Sequence, residues 1–230
     1  MPDYLNTIYF RDEYGVKDYP QKLCNYLFYN VICHVPLYGT HLLDIGSGKG
    51  NHLVGFKRLG FVVKGLDCKK ECCNALKEFD VRECNIEKEA FPFEDDSFNI
   101  VFSKSVIEHV FNSDNFFEES FRVLKKGGMA IMMTPDWDSQ HRHFWDDYTH
   151  TKPWTRKSLQ NVMRIKGFSQ VQCDYFRQLP ILWKHPCLKY LCDIISLLPD
   201  SLKWKDDKEE QHRKFIRFSK EKMLLAVGVK

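Results

Sequence analysis

The stretch Leu42-Leu43-Asp44-Ile45-Gly46-Ser47-Gly48-Lys49-Gly50 constrains this chain more than any other. An apolar run reaches an acid, passes into three glycines at alternate positions, and is followed from Asn51 by a helical pattern. Glycine tolerates positive φ and has no side chain, so a turn of this kind lets backbone approach a ligand closely between a strand and a helix. A nucleotide-like ligand fits there. The same turn can also simply join a strand to a helix, so its surroundings have to decide.

Around it, short apolar runs rich in β-branched residues alternate with longer helical patterns, as in a parallel sheet built from βαβ units. The pattern predicts strands at His41–Ile45, Phe61–Leu66, Val81–Cys84, Phe98–Ser103 and Gly128–Thr134, and helices at Asn51–Leu59, Lys69–Phe79 and Asp114–Leu124. Lys125–Gly128, two lysines and then two glycines, reads as a helix end turning directly into a strand. After Thr134-Pro135 come a polar and aromatic loop (Asp136–Trp154), a helix (Thr155–Lys166), a strand from Phe168 to about Phe176 and a final strand, Met223–Val229. Arg177–Ser219, broken by Pro180, Pro186 and Pro199, is too long for a simple connection and reads as an inserted helical element.

The second strand runs into Asp67, roughly twenty residues past the glycine turn, where an acid can accept both ribose hydroxyl protons. A dinucleotide site places its third glycine later, so that the pyrophosphate sits on the helix N-terminus; here Gly50 comes early and Asn51-His52-Leu53 follow. The pattern therefore favours a phosphate-free nucleoside.

Length and composition narrow the class further. A chain of 230 residues with 43% apolar content favours one domain over residues 1–230, with 1–40 as a helical lid or leader and 177–219 as the insertion. The 34 basic and 31 acidic side chains leave +3, too little to argue for a polyanion, so no nucleic-acid partner is expected. Met1–Phe10 has neither the basic nor the apolar region of a signal peptide, and no apolar stretch approaches the ~20 residues of a membrane span. Nine scattered cysteines without a C-x-x-C pair point to reduced thiols and a cytoplasmic location rather than to disulfides or zinc.

Four features in order, Leu42–Gly50, Asp67, the run Phe91–Phe98 and Ser105-Val106-Ile107-Glu108-His109-Val110, resemble class I S-adenosylmethionine-dependent methyltransferases. The likeness covers roughly Leu42 to Pro135 and is to the broad group that includes ubiquinone and menaquinone biosynthesis methyltransferases. It implies an α/β, Rossmann-like fold: a seven-stranded, mostly parallel sheet with helices on both faces and an antiparallel last strand. It implies S-adenosyl-L-methionine as cofactor. Asp44 with Gly46, Ser47, Gly48 and Gly50 would surround the methionine portion, Asp67 would bind the ribose, and Cys68 would lie against the adenine. Asn85 and Ile86 follow the third strand, where such enzymes usually place an acid; the Asn85 amide oxygen can still accept a bond. Ser103 and Lys104, ending the fourth strand, would face the methionine end and the acceptor.

Phe144–Thr155 resembles a loop of many small-molecule methyltransferases, D-x-T-H-x-x-P followed by an aromatic residue and Thr or Ser, although Pro153–Thr155 also reads as an ordinary helix start. Methyl transfer needs chiefly positioning, and a base only when the acceptor is a poor nucleophile such as a hydroxyl. His150 and His109 are the candidate bases; His109 can also be read as a locally bonded histidine at a helix end. Some relatives hold a metal through E-x-x-E-H, but Ser105 occupies the first position here, so no metal is expected. Tyr9–Tyr14 reads either as an aromatic lid or as a frayed leader. The insertion, with Trp183, Trp204 and Phe215, can cap an acceptor pocket, touch a membrane surface, mediate dimerisation or merely cover the core. The leading expectation is a methyltransferase for a small-molecule oxygen nucleophile (sugar, isoprenoid or related metabolite), monomeric or homodimeric. An RNA or protein methyltransferase and a non-catalytic cofactor-binding module are the rivals.

Overall fold

The computed structural model describes residues 18–35, 39–203 and 213–230. Helix α1 (Tyr19–Asn30) carries Pro20 in its first turn, where a missing N–H leaves no hydrogen bond unmade. Strand β1 (His41–Ile45) enters the glycine turn, and α2 (Asn51–Arg58) starts directly from Gly50. Then follow β2 (Val62–Asp67), α3 (Lys70–Ala75), β3 (Asp80–Glu83), β4 (Phe98–Lys104), α4 (Ser113–Val123) and β5 (Leu124–Pro135). The chain continues through α5 (Trp137–Gln140), α6 (Arg156–Ile165), β6 (Ser169–Phe176), α7 (Pro180–Lys184), α8 (Lys189–Ser196), α9 (Lys214–Lys220) and β7 (Met223–Val229).

The seven strands form one sheet in the order β3-β2-β1-β4-β5-β7-β6. Only β7 runs against its neighbours, pairing antiparallel with β5 and with β6, so the antiparallel strand is the last in sequence, as expected. Side chains alternate across a strand. Leu43 and Ile45 of β1 and Val101 of β4 therefore join Phe116 and Phe117 of α4 and Leu159 and Met163 of α6 in one core layer. Leu42, Ile100 and Phe102 face the other side, under Leu23 and Leu27 of α1 and Phe56 of α2. Trp183 of α7 extends this second layer, its ring 5.0 Å from Tyr26, 5.3 Å from Phe176 and 5.8 Å from Tyr19. Part of the aromatic content of 177–219 is thus core cover. Trp204 and Tyr9–Tyr14 lie outside the described residues. Among the described residues, no helix is long and apolar enough to cross a membrane.

Two boundaries differ from the sequence pattern by more than one residue. β5 begins at Leu124, which pairs with Phe98 before the register shifts and Ile100 pairs with Met129. The Lys125–Gly128 turn is therefore a bulge within the strand, with Gly127 at φ +76°, rather than a link before it. Helix α3 stops at Ala75 because Leu76 leaves helical geometry and turns its side chain over the glycine loop: a Cβ on Gly50 would come within 2.6 Å of Leu76 Cδ2.

Phe56 is fully buried, with its ring edge-on to Phe102 at 5.2 Å and to Phe61 at 5.8 Å. Truncation by Phe56→Ala should cost about 3–5 kcal/mol. Ile165→Ser, at a side chain 78% exposed, should change stability by less than about 0.5 kcal/mol. Urea unfolding midpoints of the two variants check both values.

Candidate functional site

The C-terminal ends of β3, β2, β1 and β4 lie side by side at one sheet edge, which gathers most of the sequence-predicted cofactor residues. Gly46, Gly48 and Gly50 adopt φ of +74°, +49° and +70°, a backbone that L side chains resist. A Cβ on Gly46 would also collide with Val106. The turn is pinned to the end of β2: the N–H groups of Gly46 and Ser47 donate to Leu66 O at 2.8 and 3.0 Å. Asp67 completes the attachment, accepting from Gly48 N at 2.8 Å through Oδ2 and from Lys69 N at 3.0 Å through Oδ1.

Asp44, at the end of β1, is only 1% exposed, and its Oδ2 has no hydrogen-bond partner; Ser47 Oγ is likewise unpartnered. Burial, reinforced by the negative charge of Asp67, pushes the Asp44 carboxyl up to about 8. Lys104 closes the neighbouring strand, its ammonium pKa lowered by burial, while Glu108 pulls the other way. In the first turn of α2, burial and then Lys104 push His52 down to about 3, so it is a neutral imidazole. Glu108 is 1% exposed and is pushed up to about 7 by burial, although Thr134 Oγ1 donates to its Oε2 at 2.9 Å.

The loop after β5 folds back onto Glu108 and His109. Thr151 N and Lys152 N donate to Glu108 O at 2.8 and 3.1 Å, and the buried Trp154 donates its indole N–H to Ile107 O at 3.1 Å. Thr155 is spent on a capping box with Ser158 at the start of α6, so that residue has the ordinary helix-start role. Further inside, Asp147 Oδ1 accepts from Thr149 Oγ1 at 2.7 Å and from Thr149 N at 3.0 Å. His109 Nδ1 lies 2.9 Å from Thr149 Oγ1 and 3.2 Å from Thr149 O. A carbonyl only accepts, so Nδ1 carries the proton and Nε2 is the basic nitrogen. His150 Nδ1 donates to Phe144 O, which assigns it the same tautomer. The two imidazoles lie 4.8 Å apart, with His150 Nε2 3.9 Å from Asp147 Oδ2. Burial and the neighbouring His150 hold His109 below the usual imidazole range, against the opposing pull of the Thr149 carbonyl and Asp147.

Several predicted residues take quieter roles. Ser103 is buried and donates its hydroxyl to Ile45 O at 3.1 Å, tying β4 to β1. Asn85 Oδ1 accepts from Glu87 N at 3.1 Å, closing a turn after β3. Ile86 is half-buried against the core, and Cys68 is exposed beside Asp67. Sequence reasoning missed His52, hidden in an ordinary helical pattern, and missed Asp147 and Thr149 as the groups that orient His109. The D-x-T-H spacing was the available signal. Glu108, His109 and His150 each offer a ligand atom, all within 4.8 Å of one another. The loop thus supplies a third ligand-type side chain that E-x-x-E-H reasoning, which stops at Ser105, does not reach.

The family described as "Methyltransferase domain" matches residues 43–132, the span from β1 through most of β5. Over those residues the chain is similar to that methyltransferase domain. The family's cofactor is S-adenosyl-L-methionine. The chain is 32% identical over 105 residues to the ubiquinone biosynthesis O-methyltransferase of Pelagibacter ubique, covering 43% of each chain, so it spans less than half of that relative's length. An Archaeoglobus fulgidus SAM-dependent methyltransferase shares the fold across 99% of this chain and all of its own, with TM-score 0.66 at 17% identity. The Haemonchus contortus phosphoethanolamine N-methyltransferase 2, solved with S-adenosyl-L-methionine, covers all of this chain and is covered over 59% of its own length, with TM-score 0.65 at 15% identity.

Nitrogen chemical shifts should show His109 as a neutral Nδ1–H tautomer at pH 7, titrating below the ordinary imidazole value. Asp147→Asn removes a charge that raises this pKa, so it should lower the titration point further. A rise in that variant would contradict the assigned contact.

Proposed function

We propose that this protein transfers a methyl group from S-adenosylmethionine to the oxygen of a small-molecule acceptor. The observation that carries the reading is the buried carboxylate of Asp44, with one oxygen unpartnered beside a side-chain-free glycine turn. An uncompensated buried anion is costly, and a ligand that is positively charged and phosphate-free offsets that cost. When bound, S-adenosylmethionine supplies a methyl group on a cationic sulfur, an already activated leaving group.

In this reading Asp44, Gly46, Ser47, Gly48 and Gly50 hold the methionine portion. Asp67 turns its remaining lone pairs to the ribose hydroxyls while keeping the bonds from Gly48 and Lys69 that fix the turn. Lys104, with Glu108 behind it, borders the acceptor. His109, oriented by Thr149 and Asp147, takes the acceptor proton at Nε2, with His150 beside it as the second base. The net charge of only +3 supports a small acceptor over RNA. A divalent cation on Glu108, His109 and His150, polarising the acceptor oxygen, is the second reading, supported by the clustering of their ligand atoms.

Calorimetry tests the donor site. Asp44→Asn and Asp67→Ala should each weaken S-adenosylmethionine binding at least about tenfold, roughly 1.4 kcal/mol. The empty folded protein keeps the Asp44 proton up to about pH 8, and that proton competes with a cationic ligand. Affinity should therefore climb with pH through neutrality and level off above about 8, with proton release on binding. Pairing lost in Asp44→Asn should flatten this slope; an unchanged slope would remove Asp44 from the site.

Metabolite profiling with labelled methyl donor tests the acceptor. A labelled small molecule made by wild type and absent with Gly48→Arg supports the reading, whereas labelled RNA or protein contradicts it, and cofactor binding without any product supports the non-catalytic module. Once the acceptor is known, His109→Gln should lower kcat by about 10²–10⁴. Activity abolished by a chelator and restored by a divalent ion would favour the cation over the base.

A further inference from the structure

Helix α8 presents an apolar face that stays exposed among the described residues. Its inner side packs through the fully buried Cys192, whose Sγ receives Ser219 Oγ of α9 at 3.2 Å. On the outer side Tyr190, Leu191, Ile194, Leu197 and Leu198 are 75, 45, 63, 85 and 40% exposed. Their spacing of i, i+1, i+4, i+7 and i+8 places them in one stripe on the helix and the turn that follows it. Single apolar side chains are ordinary on a surface, but a contiguous stripe marks an interaction site.

Basic side chains outnumber acids around the stripe, and the acids there, Asp193 and Asp200, are paired with Arg177 and with Lys203 and Lys220. Lys184 and Lys189 are exposed at its entry, and Arg213 and Lys214 are exposed at the start of α9, which packs beside α8. The acid on α8, Asp193, sits on the flank and is held by Arg177 Nη2 at 2.7 Å. Apolar side chains between basic ones complement an anionic lipid surface, where the chains enter the headgroup boundary and the cations meet phosphate.

The stripe also leads somewhere. Leu197, Leu198 and Pro199 form part of the wall of a cavity of about 540 Å³, whose remaining wall carries Asp136, Arg142, His143, Lys203 and Lys220. Asp136 is 1% exposed with Oδ1 lacking a hydrogen bond, and the buried His143 Nε2 has no hydrogen bond and lies 3.9 Å from Asp200 Oδ2. Asp136 and His143 belong to the same loop that delivers His150. One apolar wall and a polar interior with unmet hydrogen-bonding capacity suit a molecule with a polar head and an apolar tail.

We infer that α8 lays this protein on an anionic bilayer and that the adjoining cavity receives the polar head of a membrane lipid. The full chain should co-sediment with vesicles of phosphatidylcholine containing roughly a third phosphatidylglycerol and be released by high salt, with little binding to phosphatidylcholine alone. Ile194→Asp with Leu197→Asp should reduce the partition coefficient at least about tenfold, and Lys184→Glu with Lys189→Glu should act in the same direction. These side chains are exposed and outside the glycine cradle, so thermal melting and S-adenosylmethionine binding should stay at the wild-type level. That separates a failed membrane reading from a failed donor site. Wild type that ignores both vesicles overturns the inference, as does a dimer in light scattering that Ile194→Asp dissociates, which would give the stripe to a second copy.

Discussion

Asp44 and Asp67 end neighbouring parallel strands, and the fold treats the two carboxylates in opposite ways. Asp67 is saturated on one side by backbone N–H groups of Gly48 and Lys69, which stitches the glycine turn to the sheet. Asp44 is buried with an oxygen left over. A carboxylate in that position disfavours its own ionisation, and burial next to another acid pushes its pKa up to about 8. That unpartnered oxygen is what the proposed binding of a cationic ligand rests on. Around it stand the positive-φ glycines held by Leu66 O and Asp67, the His52 imidazole kept neutral by burial and Lys104, and Lys104 at the end of the next strand.

A second device is the loop after β5, folded back onto Glu108 and His109. Backbone bonds from Thr151 and Lys152 to Glu108 O anchor it, and the Asp147–Thr149–His109 chain fixes one imidazole while Phe144 O fixes the other. Both rings therefore carry their proton on Nδ1, which makes Nε2 the basic nitrogen of each. In the proposed reading the strand end binds the donor and the loop prepares the acceptor, two parts of one fold that can vary separately.

Much of this was legible in the sequence because it is local. The alternation of Leu42 and Leu43 between two core layers, the glycine turn and the acid closing β2 all follow from spacing along one stretch. What remained hidden depends on contacts between distant residues. The Ser103 hydroxyl belongs to Ile45, 58 residues earlier, and His109 meets Thr149 across 40 residues; neither shows in a window of sequence. Helix α3 looked longer because its polar and apolar residues keep a helical rhythm past Ala75, while Leu76 is drawn away to cover Gly50. The Lys-Lys-Gly-Gly turn looked like a helix end because a bulge inside a strand uses the same residues.

The most direct test of the account is the titration of the Asp44 carboxyl itself, followed by carbon NMR in the protein with and without S-adenosylmethionine. The account predicts a carboxyl that titrates near 8 in the free protein and falls to the ordinary carboxylate range when the cation is bound. An Asp44 that titrates near 4 in the free protein, or does not move on addition of the ligand, would contradict it.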